Sequence, residues 1–443
     1  MSNPVAVPVT TLYGAENPLM PGSYDDFAGG AGSVTWDKYT NSDQTFTLDV
    51  VDDSVVELDE TFSVQLFGLD AGTIAEFDND LVTIGTSSDT FTVIDNDSAS
   101  ISINDISVTE NHHGHSFATL TVTLDTAVDV PVTVDVDTAD STATAADNGL
   151  SGDEDYVAVD SSITFAGTAG ETQTVTVQIN GDNVVEATEQ LLVDLSSIAA
   201  SGREADISFS DSQGVITIEN DDSATVSIVE TSTGDEDSGN RTLAVTLSNP
   251  VDINVGVDVD TADGTATTAD SDYDALDASL TFSNVSGAPL SQTVEVVVNA
   301  DDTVELDEAL TAVLSSLSAT DRDVTLGNAT STVTLSNDES ASVSIDDVTV
   351  NEDAGTATLT ITLSHDVDVD VSVDADTADS TATSAAQGAL ASDYVAVDQT
   401  STFAAGSGAN ATQAVVVSIN DDSIVETNEL LNVVLSGLFA TGR

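Results

Sequence analysis

A short phrase recurs three times in this chain: Ile94 to Ile103 (IDNDSASISI), Ile218 to Ile228 (IENDDSATVSI) and Leu335 to Ile345 (LSNDESASVSI). Each copy reads as the end of one strand, an acidic knot, and the start of another strand. Copies roughly 120 residues apart mark joints between domains in series, because solenoid repeats are far shorter. The joints divide the chain into segments 1–97, 98–222, 223–339 and 340–443, each of domain size. Fold and function are therefore to be read module by module.

Within the modules the periodicity is that of strands. Val128, Val130, Val132, Val134 and Val136 alternate with polar residues such as Asp129, Thr133 and Asp135. Val251, Ile253, Val255, Val257 and Val259 repeat the pattern, as do Val367, Val369, Val371 and Val373. A period of two places valines on one face and hydroxyls or carboxylates on the other, as in an antiparallel sheet with one wet side. No segment carries a helical period. Short Val-, Ile- and Thr-rich strands, punctuated by Asp, Gly and Asn turns, predict an all-β fold of tandem immunoglobulin-like sandwiches. The outward aspartates of such strands, Asp368 and Asp370 among them, read as a solvated face.

The chain holds 79 acidic against 5 basic residues, a formal net charge of -74, yet 40% of it is hydrophobic, too apolar for a disordered acidic tail. That charge repels polyanions, so nucleic acid and anionic membrane surfaces are excluded as partners while cations are favoured. No apolar run is long enough to span a bilayer as a helix. With no cysteine there is no disulfide framework, and stability must come from cores and bound ions. The N-terminal stretch MSNPVAVPVTTLYGAENPLMPG lacks the basic and apolar regions of a secretory signal. Export would then rest on a C-terminal signal, or this is a fragment of a longer chain.

Aligning the modules on their joints reveals a shared order. The last three carry a Thr-Ala-Asp tract (Thr138 to Asp140, Thr261 to Asp263, Thr377 to Asp379), followed by Asp155-Tyr156, Asp272-Tyr273 and Asp393-Tyr394. A strand closing in Phe165, Phe282 or Phe403 comes next, with Trp36 at the matching place in the first module. A valine-rich strand then runs into an acidic turn: Asp52-Asp53 to Glu57, Asp182 to Glu186, Asp301-Asp302 to Glu305, Asp421-Asp422 to Glu426. This order resembles the Calx-beta domain, most specifically in Asp263-Gly264-Thr265-Ala266 with Asp272-Tyr273, the turn Asp301 to Glu308, and the acidic joint. The resemblance implies an immunoglobulin-like sandwich of about seven strands with calcium at one end. Ser141 and Ser380 depart from the family's glycine at Gly264, and Gly181-Asp182 from its acidic pair, which implies fewer ions in the second module.

The residues themselves support a hard cation. Ca²⁺ takes six to eight oxygen ligands, and strand ends converging at one tip of a sandwich can supply them. The candidate ligands are Asp52, Asp53, Glu57, Asp95 and Asp97 in the first module, and Glu110, Asp140, Asp182, Glu186, Glu219 and Asp221 in the second. In the third they are Glu236, Asp263, Asp301, Asp302, Glu305, Asp338 and Glu339, and in the fourth Glu352, Asp379, Asp421, Asp422 and Glu426. The competing reading makes them solvated loop acids, but their clustering recurs at equivalent positions. An EF-hand reading of Asp258 to Gly264 fails, since Ala262 falls at a ligand position and no closing glutamate follows. His112, His113 and His115 occur in one module only and read as a loop tip.

Catalysis has no support in the sequence: no nucleophile motif is present, and His365 lies beside Asp366 in a hairpin turn. Arg203, Arg322 and Arg443 share one address in three modules, consistent with a local salt bridge or a contact to an acidic neighbour. The expectation is a secreted or cell-surface, calcium-stabilised, non-enzymatic rod. Its role is either a self-assembling component of a bacterial surface layer, filament or biofilm matrix, or the stalk of a large calcium-dependent adhesin. The first module lacks the strands preceding Val132 in the second, and the fourth lacks the counterpart of Ala205 to Asn220. Pro4 to Leu12 could then add as a strand to another molecule's open edge, giving head-to-tail self-association.

Overall fold

The computed structural model describes residues 5–12, 31–36, 42–66, 86–145, 154–384 and 392–443. Its described elements are strands and two single 3-10 turns. Two compact units are present: residues 1–183 with 187–222, and residues 184–186 with 223–443.

In the first unit, the sandwich of residues 98–222 encloses a core of alternating strand residues, including Val132, Val134 and Val136 clustered with Leu120, Val122 and Leu124. One sheet orders its strands Asp160–Phe165, Val132–Asp140, Glu189–Ala199, Gln213–Glu219 and Ile106–Thr109. The other orders Glu171–Gly181, Gly114–Leu124, Ala99–Ile103 and Ile207–Asp211. The pairing is not wholly antiparallel. The strand leaving the joint switches sheets after Ile103, so both of its halves take parallel partners, Ile207–Asp211 and Gln213–Glu219. Asn104 and Asp105 fix the switch: the Thr121 N–H donates to Asn104 Oδ1 (2.5 Å) and the Val215 N–H to Asp105 Oδ1 (2.7 Å).

Preceding it, strand Val5–Leu12 pairs with Ala31–Trp36 on one side and Glu60–Leu66 on the other. The Val5–Trp36 pairing repeats the Val132–Phe165 pairing of the next sandwich. The segment Pro4 to Leu12, expected to add to another molecule's edge, lies from Val5 onward in a sheet of its own module: Val5 to Thr10 pair along one edge and Val9 to Leu12 along the other, while Pro4 lies outside the described residues.

The second unit repeats the plan. Sheets Ser291–Val296, Arg241–Leu247, Ala224–Glu230, Val324–Leu326 and Asp277–Phe282, Val255–Ala262, Glu308–Ser318, Thr330–Leu335 enclose the third core. Two three-stranded sheets, built on Thr356–Leu363 and Val371–Asp379, enclose the fourth. The stretch Asp258 to Gly264 lies largely within strand Val255–Ala262, so it forms no EF-hand loop.

One contact recurs within both units. Val56 is fully buried among the residues of the next core, its neighbour Val55 pairs in parallel with Ala127, and its carbonyl accepts the Asp129 N–H (3.2 Å). In the second unit Val185, also fully buried, donates its N–H to the Pro250 carbonyl (2.9 Å) and accepts the Asp252 N–H (3.2 Å). Val304 does the same with Asp366 (3.0 Å) and Asp368 (3.3 Å). The receiving aspartates are those clasped by the recurrent arginines. Arg203 holds Asp129, Arg322 holds Asp252 through Nε and Nη2 (2.5 Å each), and Arg443 holds Asp368. Bidentate pairing fixes the hairpin whose N–H meets the incoming valine. Asp368 is therefore no free solvated acid, and Asp370 accepts the Ala405 N–H (2.9 Å).

Candidate metal centre

The acidic turn that delivers each valine also delivers carboxylates, so the joints place acids at one end of each sandwich. In the third, Glu236 rides on the 3-10 turn Glu236–Ser238, and its N–H donates to the Ser336 carbonyl (3.1 Å). Arg241, a buried cation that sequence reasoning did not single out, shapes that loop by donating to the carbonyls of Gly234, Asp235 and Gly239. Glu305 is tied to the joint because its N–H donates to Asn337 Oδ1 (2.8 Å). Asp301 folds the turn by accepting the Thr303 N–H (2.6 Å).

These anchors gather two groups: Glu236, Asp338, Glu339, and Asp272, Glu305, Glu308, each with carboxylate oxygens within 4.8 Å of one another. Burial, then the Glu339 carboxylate, then Asp301 and Glu305, push Glu236 up to about 8. Burial and the charges of Asp301 and Asp272 push Glu305 up to about 7, and burial with Asp272 does the same to Glu308. Like charges held together out of water favour the protonated form unless a cation replaces the proton.

The second sandwich brings together Glu110, Asp182 and Asp222, and beside them His112, Asp221 and Asp222. Burial, then Asp182 and Asp222, push Glu110 up to about 8. Asp222 is 3% exposed: its Oδ1 lies 2.5 Å from His112 Nδ1, while its Oδ2 is buried without a hydrogen-bond partner. Gly181 permits this approach, since a Cβ there would stand 2.0 Å from the Asn111 carbonyl oxygen. His112 thus joins the edge of the cluster rather than an idle loop tip, whereas His115 meets Gln178.

In the fourth sandwich Asp393, Glu426 and Glu429 form a group, and Glu352 Oε1 accepts the Asp422 N–H (3.3 Å). In the first, Asp52, Asp53, Glu57, Asp95 and Asp97 line one concavity together with Glu60. Burial raises Asp95 despite the backbone N–H groups of Glu57 and Asp97, and its Oδ2 is buried without a partner.

Several predicted ligands take other tasks. Asp140, Asp263 and Asp379 each accept the hydroxyl of a buried tyrosine, Tyr156 (2.7 Å), Tyr273 (2.6 Å) and Tyr394 (2.5 Å), and a backbone N–H as well. Glu219 supplies its backbone carbonyl to the Glu110 N–H (3.2 Å). Glu186 lies near enough to Arg322 for the two charges to act on each other. Asp302 and Asp421 are exposed and belong to none of the groups found among the described residues. Sequence reasoning missed Asp222, Asp272, Glu308, Asp393 and Glu429. The signal was available: Asp272 and Asp393 head the Asp-Tyr pairs, and the joint alignment sets Asp222 opposite Asp97 and Glu339.

The donor set suits a hard cation. It consists of carboxylate oxygens, it is poor in protein hydrogen-bond donors, and in two sandwiches it includes a buried oxygen with no partner, Asp95 Oδ2 and Asp222 Oδ2. A model of the Calx-beta domain matches residues 22–97, 95–222, 219–340 and 336–442. The chain belongs to the Calx-beta family. Among solved structures, CBD12 from CALX1.2 is 17% identical, covers 53% of this chain and 99% of its own, with a TM-score of 0.24. The "calcium binding domain CBD12" of CALX1.1 is 16% identical over 53% of this chain and 98% of its own, with a TM-score of 0.25. The class 5 fimbrial chaperone CfaA is 9% identical over 54% of this chain and 99% of its own, with a TM-score of 0.19. No curated protein sequence matches significantly. Within this chain the Calx-beta modules repeat one β-sandwich plan, and the acid-rich tips recur with it.

Proposed function

We propose that this Calx-beta array is a calcium-stabilised extracellular structural segment, a spacer in a large bacterial surface protein rather than an enzyme. The observation that carries the reading is the position of Glu305. It belongs at once to a carboxylate group and to the turn whose Val304 is bonded to the next sandwich. A cation neutralising Glu305, Asp272 and Glu308 would hold the turn in the conformation that makes the joint. Of the roles open from the sequence, the stalk is favoured over the self-assembling layer, because the segment invoked for assembly already serves its own module's sheet, Val5 to Thr10 on one edge and Val9 to Leu12 on the other.

The test is small-angle scattering of the full chain with calcium and after its removal, alongside electron microscopy. Stiffening is expected as calcium is added, with β content unchanged and particles remaining single. A scattering profile indifferent to calcium would overturn the structural role. Ordered assemblies in calcium would replace the stalk by the layer.

A further inference from the structure

The fourth sandwich carries the turn that holds Val56, Val185 and Val304, and among the described residues its Val425 makes no backbone bond or bridge of that kind. Val425 aligns with Val56, Val185 and Val304 through the shared Val-Glu of each turn. Val56 and Val185 are 0% exposed, whereas Val425 is 98% exposed. Its neighbour Ile424, matching the buried Val55, is 56% exposed. The turn is nonetheless preformed: Asp422 Oδ1 accepts the Ile424 N–H (2.6 Å), as Asp53 does for Val55 (2.9 Å) and Asp301 for Thr303 (2.6 Å).

We infer that residues 422–426 are a docking knob for one further Calx-beta sandwich, a domain whose Val-Asp hairpin is free and clasped by its own arginine. The occupant follows from the interface the chain already repeats. In each joint the valine backbone bonds a hairpin carrying Val-Asp, as Ala127-Val128-Asp129, Pro250-Val251-Asp252 or Asp366-Val367-Asp368, and an arginine of the receiving sandwich fixes the aspartate that donates. The charge pattern fits too. Glu186 and Glu305, each directly after its valine, act on Arg322 and Arg443 of the receiving sandwich, and Glu426 stands ready in the same place. A generic apolar partner would leave Glu426 and the unpaired backbone of Val425 without mates. Sockets of this kind within the chain, at Val128-Asp129, Val251-Asp252 and Val367-Asp368, are already filled by Val56, Val185 and Val304.

The absence of cysteine makes the inference testable by cross-linking in the full chain. A second copy of residues 323–443 is placed directly after Arg443, in the register set by Arg322 and Arg443. Val425→Cys is paired with Val367→Cys in the appended copy. The reference is Val304→Cys with Val367→Cys in the unextended chain, parallel bridge partners, since adjacent strands lie about 4.8 Å apart, within the Cα range of a disulfide. Oxidation should close both pairs to similar yield, and Val425→Cys alone should be alkylated about tenfold more slowly in the extended than in the unextended chain. Closure of the reference pair without closure of the new one, at unchanged alkylation, would overturn the inference. So would dimerisation of the unextended chain abolished by Val425→Asp, which would assign the knob to a second copy.

Discussion

Asp263 and Glu236 are both acids of the third sandwich, and both were candidate ligands on sequence, yet their surroundings treat them oppositely. Asp263 accepts hydrogen bonds from the Tyr273 hydroxyl (2.6 Å) and the Thr268 N–H (3.1 Å), and these hold its carboxyl below the usual aspartate range. Glu236 faces Glu339, Asp338 and the charges of Asp301 and Glu305, and is pushed up to about 8. The difference is not proximity to other acids but the supply of donors. A carboxylate given protein N–H and O–H groups is satisfied as an anion; one given only other carboxylates needs a proton or a metal ion.

The comparison is tested hardest by neutralising Glu236. Calcium at a hundredfold excess over its dissociation constant stabilises a folded protein by about 2.7 kcal/mol per site. Glu236→Gln should lose most of that gain for the third sandwich, while the calcium-free variant unfolds at a higher temperature than the calcium-free parent because a repulsion is gone. Thermal unfolding with and without calcium measures both. A variant that responds to calcium as the parent does would show that Glu236 holds no ion.

The pH dependence sharpens the same contrast. Folded-state values raised above the ordinary 4.5 mean that calcium-free protein binds extra protons on folding, so stability is present below about 4.5 and is lost as pH climbs to about 7 for Glu305 and Glu308 and about 8 for Glu110 and Glu236. Asp263 and Asp379, lowered by their tyrosines, act in reverse: their contribution is present above the ordinary 3.8 and is lost as pH falls through their lower folded values. Urea midpoints in calcium-free buffer should therefore fall between pH 5 and pH 8. With calcium bound the protons are displaced, the decline should flatten, and calcium affinity should rise over the same interval. A calcium-free midpoint that rises toward pH 8 would contradict the burial of these groups.

The fold was legible because period-two valines recur in the last three modules, at Val128 to Val136, Val251 to Val259 and Val367 to Val373. Site membership was harder to read. Adjacent acids in a joint look alike in sequence, and only the register of the joint decides that Asp222 turns inward at 3% exposure while Asp221 stays exposed. The Thr-Ala-Asp and Asp-Tyr acids exchanged roles because the tyrosine ring is buried and its hydroxyl reaches the earlier aspartate. Asp368 was misread as solvated because its partner Arg443 lies 75 positions away in the chain, beyond any local pattern. The arginine address itself was visible, since repetition exposes what spacing cannot.

The smallest expected effect is also the one that separates the two classes of acid most cleanly. Tyr273→Phe keeps the buried ring and removes only the hydroxyl that donates to Asp263. Asp263 is exposed, so water can take the place of the lost donor, and the cost should be that of one net hydrogen bond, about 0.5–1.5 kcal/mol. Because Asp263 belongs to neither carboxylate group of this sandwich, calcium affinity should stay within about twofold of the parent, a difference well under 1.4 kcal/mol. Calorimetric titration of the full-length variant with calcium, paired with urea unfolding, reads both quantities. A loss of stability with unchanged affinity is the expected result. An affinity loss of about tenfold or more would place Asp263 among the ligands and erase the distinction between acids satisfied by the protein and acids left for a cation.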